Sequence, residues 1–189
     1  MKGRLTYSNV IATLALFIAV TTGGAWAATK LINGNRINDP VYDTGAIGRM
    51  FPIDLDLVDR IEFIPGPGSA VYGQNAMFGV VNVITRTGAD LSGAEIAAIH
   101  GRPERGTDLR ISAGRRLENG LDVLVSASRY RARGKDRFME FGSTGIAGVA
   151  PGLDGERDGE FFARVAGRSW SFELIRADRN KSDPTGIYL

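Results

Sequence analysis

The chain has 189 residues, no cysteine and a formal net charge of +2, which excludes a disulfide framework and a thiolate metal site. Its 23 basic and 21 acidic residues are interspersed, so no concentrated basic patch points to nucleic acid. The 25 glycines are spread along the chain, a distribution that suits many strands and turns better than a helical bundle.

The N-terminus reads as an export signal. Lys2 and Arg4 form a basic start, Val10 to Val20 (VIATLALFIAV) an apolar core, and Ala25-Trp26-Ala27 a small-x-small cleavage pattern. The apolar run is short for a bilayer span, so a leader over residues 1–27, cut after Ala27, is favoured over an uncleaved anchor. Next, Asn33-Gly34 between Leu31-Ile32 and Asn35-Arg36 is a hairpin-turn signal. In PIDLDLVDR, Asp54 and Asp56 are expected to share a strand face with Asp59 close by. With no further ligand fixed nearby, a solvated edge is the better reading than a cation site.

Val58 to Arg86 is the most informative stretch. Val58, Arg60, Glu62 and Ile64 are expected on one strand face and Asp59, Ile61 and Phe63 on the other, with Pro65 ending the run. Val80, Val81, Val83 and Ile84 form a β-branched run suited to a strand buried on both faces. Gly66-Pro67-Gly68-Ser69 and Tyr72-Gly73 make a stiff elbow between these strands. It is not a phosphate loop. Gln74-Asn75 follow Gly73 where a P-loop needs Lys and Ser or Thr. Val71 occupies the third-glycine place of a dinucleotide fingerprint, and no helix of the needed length is expected after it.

From Ala94 the pattern becomes one of spaced, alternating strands: Glu95–His100, Asp108–Arg115, Leu121–Arg131, Glu160–Gly167 and Ser169–Arg176. Leu109, Ile111 and Ala113 oppose Asp108, Arg110 and Ser112; Val123, Val125 and Ala127 oppose Asp122, Ser126 and Ser128. Phe161, Ala163 and Val165 are set against Arg164, and Trp170, Phe172 and Leu174 against Ser171 and Glu173. A half-buried soluble sheet would show the same alternation. Tight turns at Glu118-Asn119-Gly120 and Gly167-Arg168 alternate with longer links, Arg102–Thr107 and Gly134–Gly159, as in a membrane barrel. Asp154, Glu156, Asp158 and Gly159 resemble the start of a calcium loop, but Val165 stands where the closing Glu is needed. His100, the only histidine, has no partner for a zinc site or a catalytic relay. Phe161, Phe162, Trp170, Phe172 and Tyr188 suit an interfacial girdle or a core equally.

Asp59-Arg60-Ile61-Glu62-Phe63-Ile64, the run from Gly66 to Gly73, Asn75-Ala76 and the run from Gly79 to Thr85 follow one another in order. Together they resemble the C-terminal half of the plug domain of TonB-dependent outer-membrane receptors. The plug-motif residues implied are Arg60, Glu62, Gly66, Pro67, Gly68, Ser69, Tyr72, Gly73, Ala76, Gly79 and Asn82. Pro65 departs from the Arg usual in the family. Leu31 to Asp39 resembles the family's strand–turn–strand, and ENGLDVLVSASRYRARGKDRF, GLDGERDGEFFARV and SDPTGIY resemble its first barrel strands and second outer loop.

The resemblance implies an α+β plug-domain fragment (28–90) followed by antiparallel β-strands of an incomplete transmembrane β-barrel (91–189). It implies outer-membrane localisation and energy-coupled uptake of a scarce small ligand such as a siderophore or cobalamin. Membrane lipid, the TonB energy-coupling protein and that ligand would be partners. No enzyme activity, cofactor, metal residue or nucleic-acid partner is expected. The receptor-like part starts abruptly near Lys30, without the TonB box and first half of the plug, and five strands cannot enclose a plug. A truncated or fused frame, not transport-competent alone, is therefore expected. The alternative is a secreted or periplasmic soluble β-rich binding module.

Overall fold

The computed structural model describes residues 29–38, 48–65, 68–72, 76, 79–101, 105–141 and 146–182. The chain divides into two compact units, residues 1–86 and 87–189. The expected leader, the end of the Leu31–Asp39 stretch and Tyr188 lie outside the described residues.

In the first unit, strand β1 (Thr29–Ile32) turns through Asn33-Gly34 into the short β2 (Asn35–Arg36). Asn33 and Gly34 both have positive φ, 49° and 87°, the backbone that a two-residue hairpin of this hand demands and that Asn-Gly adopts readily. Single 3-10 turns follow at Gly48–Met50 and Leu55–Leu57. Strand β3 (Val58–Pro65) leads to a one-turn helix, Ser69–Tyr72, and then to β4 (Gly79–Thr85). The sheet order is β2-β1-β4-β3, with β1 parallel and β3 antiparallel to β4. β4 is thus central, and Val80, Val81, Val83 and Thr85 are buried with Leu31, Ile32, Leu57 and Val58. The β-branched run is buried because it has a strand on either side.

Two expectations are corrected here. The face assignment of β3 breaks at its start: Val58 pairs with Thr85 but Arg60 with Ile84, so Asp59 is the extra residue of a bulge. Val58 is consequently buried while Arg60 is exposed. Asp54 and Asp56 do not share a strand face. Asp54 caps the Leu55–Leu57 turn, its Oδ1 accepting the Asp56 N–H at 2.8 Å, the local bond that makes Asp favoured before a helical turn.

The second unit opens with a one-turn helix, Gly88–Leu91, closed at its N-terminus by a capping box between Thr87 and Asp90. Then come β5 (Gly93–Gly101), β6 (Gly106–Arg116), β7 (Asp122–Ala132), β8 (Arg137–Phe141), β9 (Ile146–Ala150), β10 (Glu156–Ala166) and β11 (Ser171–Lys181). Five of these form an antiparallel meander ordered β5-β6-β7-β10-β11. The Gly134–Gly159 link is not plain loop: β8 and β9 pair within it as a separate hairpin. β10 and β11 also run further towards the long link than their apolar residues suggest. Ladder bonds need no apolar side chain, and Arg179 and Lys181 of β11 meet Glu156 of β10 across this polar end.

Burial decides between the two faces of the meander. The apolar face is open: Ile96 is 81% exposed, Ile111 55% and Phe172 62%, and Leu109, Val125 and Leu174 are exposed as well. The polar face is closed: Ser112 is 1% exposed, Ser126 2% and Arg110 8%. Several of its groups are paired with one another. Arg110 donates to Ser112 Oγ (2.8 Å), Ser112 and Ser126 share a hydroxyl bond (2.8 Å), and Ser128 donates to Glu160 (3.1 Å). Arg164 pairs with Glu173 at 3.1 Å.

Candidate functional site

Of the residues expected to form the plug motif, Arg60 and Glu62 lie on β3 and Gly79 and Asn82 on β4. Asn82 lies opposite Glu62 on β3 and Leu31 on β1. Its side-chain amide spans both neighbours: Nδ2 donates to Glu62 Oε2 (3.2 Å), and Oδ1 accepts the Gly34 N–H (3.0 Å). Glu62 Oε1 accepts from Arg60 Nε at 2.9 Å, and Arg60 also donates to Asp59 at 3.0 Å. These carboxylates, Asp59 first and Glu62 second, hold the Arg60 guanidinium above its ordinary pKa. The pairs are solvent-exposed, so they orient Glu62 more than they stabilise the fold.

A second clasp sits three residues further along β4. Asn33 Oδ1 accepts the Thr85 N–H and Asn33 Nδ2 donates to Thr85 Oγ1, both at 2.9 Å. Asn33 N–H itself donates to Val83 O at 2.9 Å. The hairpin turn is therefore tied to β4 by side chains fifty residues away in sequence. Asn33-Gly34 is legible as a turn; its long-range role is not, because no local signal names Thr85 as the partner.

The glycines of the motif serve close packing. Gly68 N–H donates to Ala76 O (2.7 Å), and Gly68 O accepts from Val71 and Tyr72, which starts the Ser69–Tyr72 turn. That single turn is far shorter than the helix a dinucleotide fingerprint needs. A Cβ on Gly68 would lie 3.1 Å from the Tyr72 ring. Tyr72 in turn packs on a buried cluster of Leu31, Ala76 and Val80. A Cβ on Gly79 would lie 2.9 Å from Phe63 Cε2, and its φ is 155°. Of the expected motif, Gly66, Pro67 and Gly73 lie outside the described residues, and Ser69 is described only as backbone of the turn.

The other chemical candidates are accounted for by pairing. Asp154 accepts from Lys135 N–H and Arg137 Nε, and these bonds, Arg137 first, hold its carboxyl below the usual range. Glu156 meets Arg179 and Lys181. These acids thus face cationic side chains, an arrangement unlike a calcium loop. His100 shares a 3.0 Å bond with Thr107 Oγ1 on an exposed strand end. Among the described residues no group of three or more His, Asp or Glu converges as a metal site.

Residues 23–80 match the model of the TonB-dependent receptor plug domain. That stretch, about a third of the chain, is where the likeness to the TonB-dependent receptor plug domain lies. The match begins within the expected leader and ends at Val80, the first buried valine of β4. Among solved structures, the ferric enterobactin receptor PfeA in complex with BCV-L6 is 18% identical, with a TM-score of 0.51 over 84% of this chain and 26% of its own. A mutant of the same receptor from Pseudomonas aeruginosa, in complex with enterobactin, is 18% identical with a TM-score of 0.50, over 82% and 25%. This likeness establishes a shared fold of plug and antiparallel sheet. The chain spans about a quarter of the length of these receptors.

Proposed function

We propose that this chain is part of an outer-membrane receptor that takes up a scarce small ligand by TonB-coupled opening of its plug. The observation that carries the reading is the burial of the meander: a polar face closed and hydrogen-bonded, an apolar face open, the arrangement of a membrane barrel wall. The plug domain beside it in sequence is the second support. The tight turns at Leu117–Leu121 and Gly167–Trp170 then belong to the periplasmic side and the longer links to the outside. The solved relatives are named for ferric enterobactin, and an iron chelate is the ligand class we propose; cobalamin is the runner-up. The work is binding and translocation, not catalysis. Residues 1–27 would export the chain.

The five-stranded sheet has two edges, β5 and β11, and unpaired edge groups are costly in lipid. We therefore expect no transport from this chain alone, and an aggregation-prone product where the edges stay open. The deciding test reads the genomic DNA downstream: a dozen or more further alternating strands in or near frame are expected. A soluble, monomeric product from a frame with no such continuation would overturn the receptor reading in favour of a β-rich binding module. Heat-modifiable migration of the isolated chain on a gel, the mark of a closed barrel, would overturn the expectation of incompetence.

A further inference from the structure

The cross-strand registers arrange the apolar face of the meander in rows. Ile96, Ile111, Ala127 and Phe161 lie side by side, and the row ends in Arg176. Two residues nearer the long links, the row is Ala98, Leu109, Arg129, Gly159 and Asp178. The next is His100, Thr107, Arg131, Arg157 and Asn180. An exposed apolar surface thus becomes cationic within three rows, with Asp178 the only carboxylate among these positions.

Arg131 and Arg157 are directly opposed on neighbouring strands, with backbones about 4.8 Å apart. Like charges in that relation destabilise a sheet. Neither they nor Arg129 form an ion pair with a carboxylate among the described residues, although Arg179 and Lys181 close by are engaged by Glu156. Beside them lies a cavity of about 520 Å³, lined by Arg131, Arg133, Arg157, Asn180 and Ser182 along the Gly152–Gly155 turn. Its lining carboxylate, Glu156, is the one held by Arg179 and Lys181. Three arginines, an asparagine and a serine thus line it, residue types whose donors recognise a phosphate.

We propose that this rim is a binding site for the phosphate headgroup of a membrane lipid whose acyl chains lie along Phe161, Ile111 and Ile96. The inference rests on the receptor reading, which puts the apolar face in lipid. It adds that the leaflet facing the long links is gripped through a defined anionic site. Continuity with the apolar face selects a lipid over a free phosphate, because Arg131 and Arg157 stand on the same face as Ile111 and Phe161, four residues along the same strands or their neighbours. An anion between Arg131 and Arg157 would also remove their mutual repulsion.

The test uses the full chain diluted from denaturant onto vesicles of neutral phosphatidylcholine, with or without a minor fraction of phosphatidic acid, followed by flotation. Two basic groups at a charged surface are worth roughly tenfold or more in binding. Wild type should therefore half-saturate at roughly tenfold less lipid with phosphatidic acid. R131Q/R157Q should lose that preference. R115Q/R168Q, which removes the same charge at the tight-turn end, should keep it. Circular dichroism should show equal strand content in all three. Equal flotation of wild type and R131Q/R157Q on both vesicles, or an equal loss in R115Q/R168Q, would overturn the site while leaving the membrane reading intact. A soluble chain that floats with neither vesicle would overturn both.

Discussion

Val80 on β4 and Ile111 on β6 are both β-branched residues in the middle of well-paired strands. Val80 is fully buried, whereas Ile111 is 55% exposed. The plug-side sheet follows the rule of a protein in water: apolar side chains inside, and the polar groups of Asn82, Asn33 and Glu62 paired at its margin. The meander encloses Arg110, Ser112 and Ser126 beside Leu124 and Phe162, and presents Ile96, Ile111 and Phe172. One chain thus carries two sheets with different burial, and strand content alone does not distinguish them.

Arg in place of Ile111 sharpens that contrast most. In a bilayer the substitution should cost about 2–4 kcal/mol near the midplane. In water, at an exposed site, it should stay within about 0.5 kcal/mol. Urea titrations of the chain in vesicles and of any soluble fraction separate these cases, and an unchanged midpoint in vesicles would break the comparison.

Gly88→Val attacks the second unit from within. A Cβ there would collide with the backbone oxygen of Val123 and lie 2.9 Å from Arg115 N. It would also displace the Asp122 carboxylate that accepts the Gly88 and Ala89 N–H groups. Overpacking against backbone should cost about 3 kcal/mol, read as a lowered denaturation midpoint, with no change in hydrogen-exchange protection of the β1–β4 amides.

Asn82→Ala is the corresponding change in the plug. It frees Gly34 N–H and one oxygen of Glu62, a loss of about 1–2 kcal/mol. Exchange of the Gly34 amide should quicken, while Thr85, held by Asn33, should stay protected; equal loss at both would mean the two clasps act as one.

Acid gives the smallest effect. The Asp154 carboxyl lies below its ordinary value of 3.8 through Arg137 and then Lys135. A lowered folded-state pKa means this contact contributes fully above the unfolded value and is lost as pH falls through the folded one. Protection of Lys135 N–H should therefore be flat from neutral pH to about 5 and fall below about 4, and Asp154→Asn should flatten the acid limb.

Much of this was legible from residue types. The β-branched run of β4, the Asn33-Gly34 turn and the alternation of β5–β7 each follow from local sterics or a two-residue period. The β3 bulge, the Asp54 cap, the Ser69–Tyr72 turn and the β8–β9 hairpin were not. Each depends on one extra residue or one short hydrogen bond, too small to alter a hydrophobic pattern. The string from Asp59 to Thr85 was visible in order, but Asn82 bridging Glu62 to Gly34 was not, because those residues meet only through pairing.

What the sequence determined by itself is β3, β4 and the five strands of the meander, the lack of nucleotide-loop and thiolate residues, and the two-sided character of each strand in the meander. Which side faces inward was decided only in three dimensions. Alternation fixes that apolar and polar groups lie on opposite faces, but it is symmetric with respect to inside and outside. Burial breaks that symmetry, by enclosing the bonded row of Arg110, Ser112 and Ser126 and leaving Ile96 and Ile111 open.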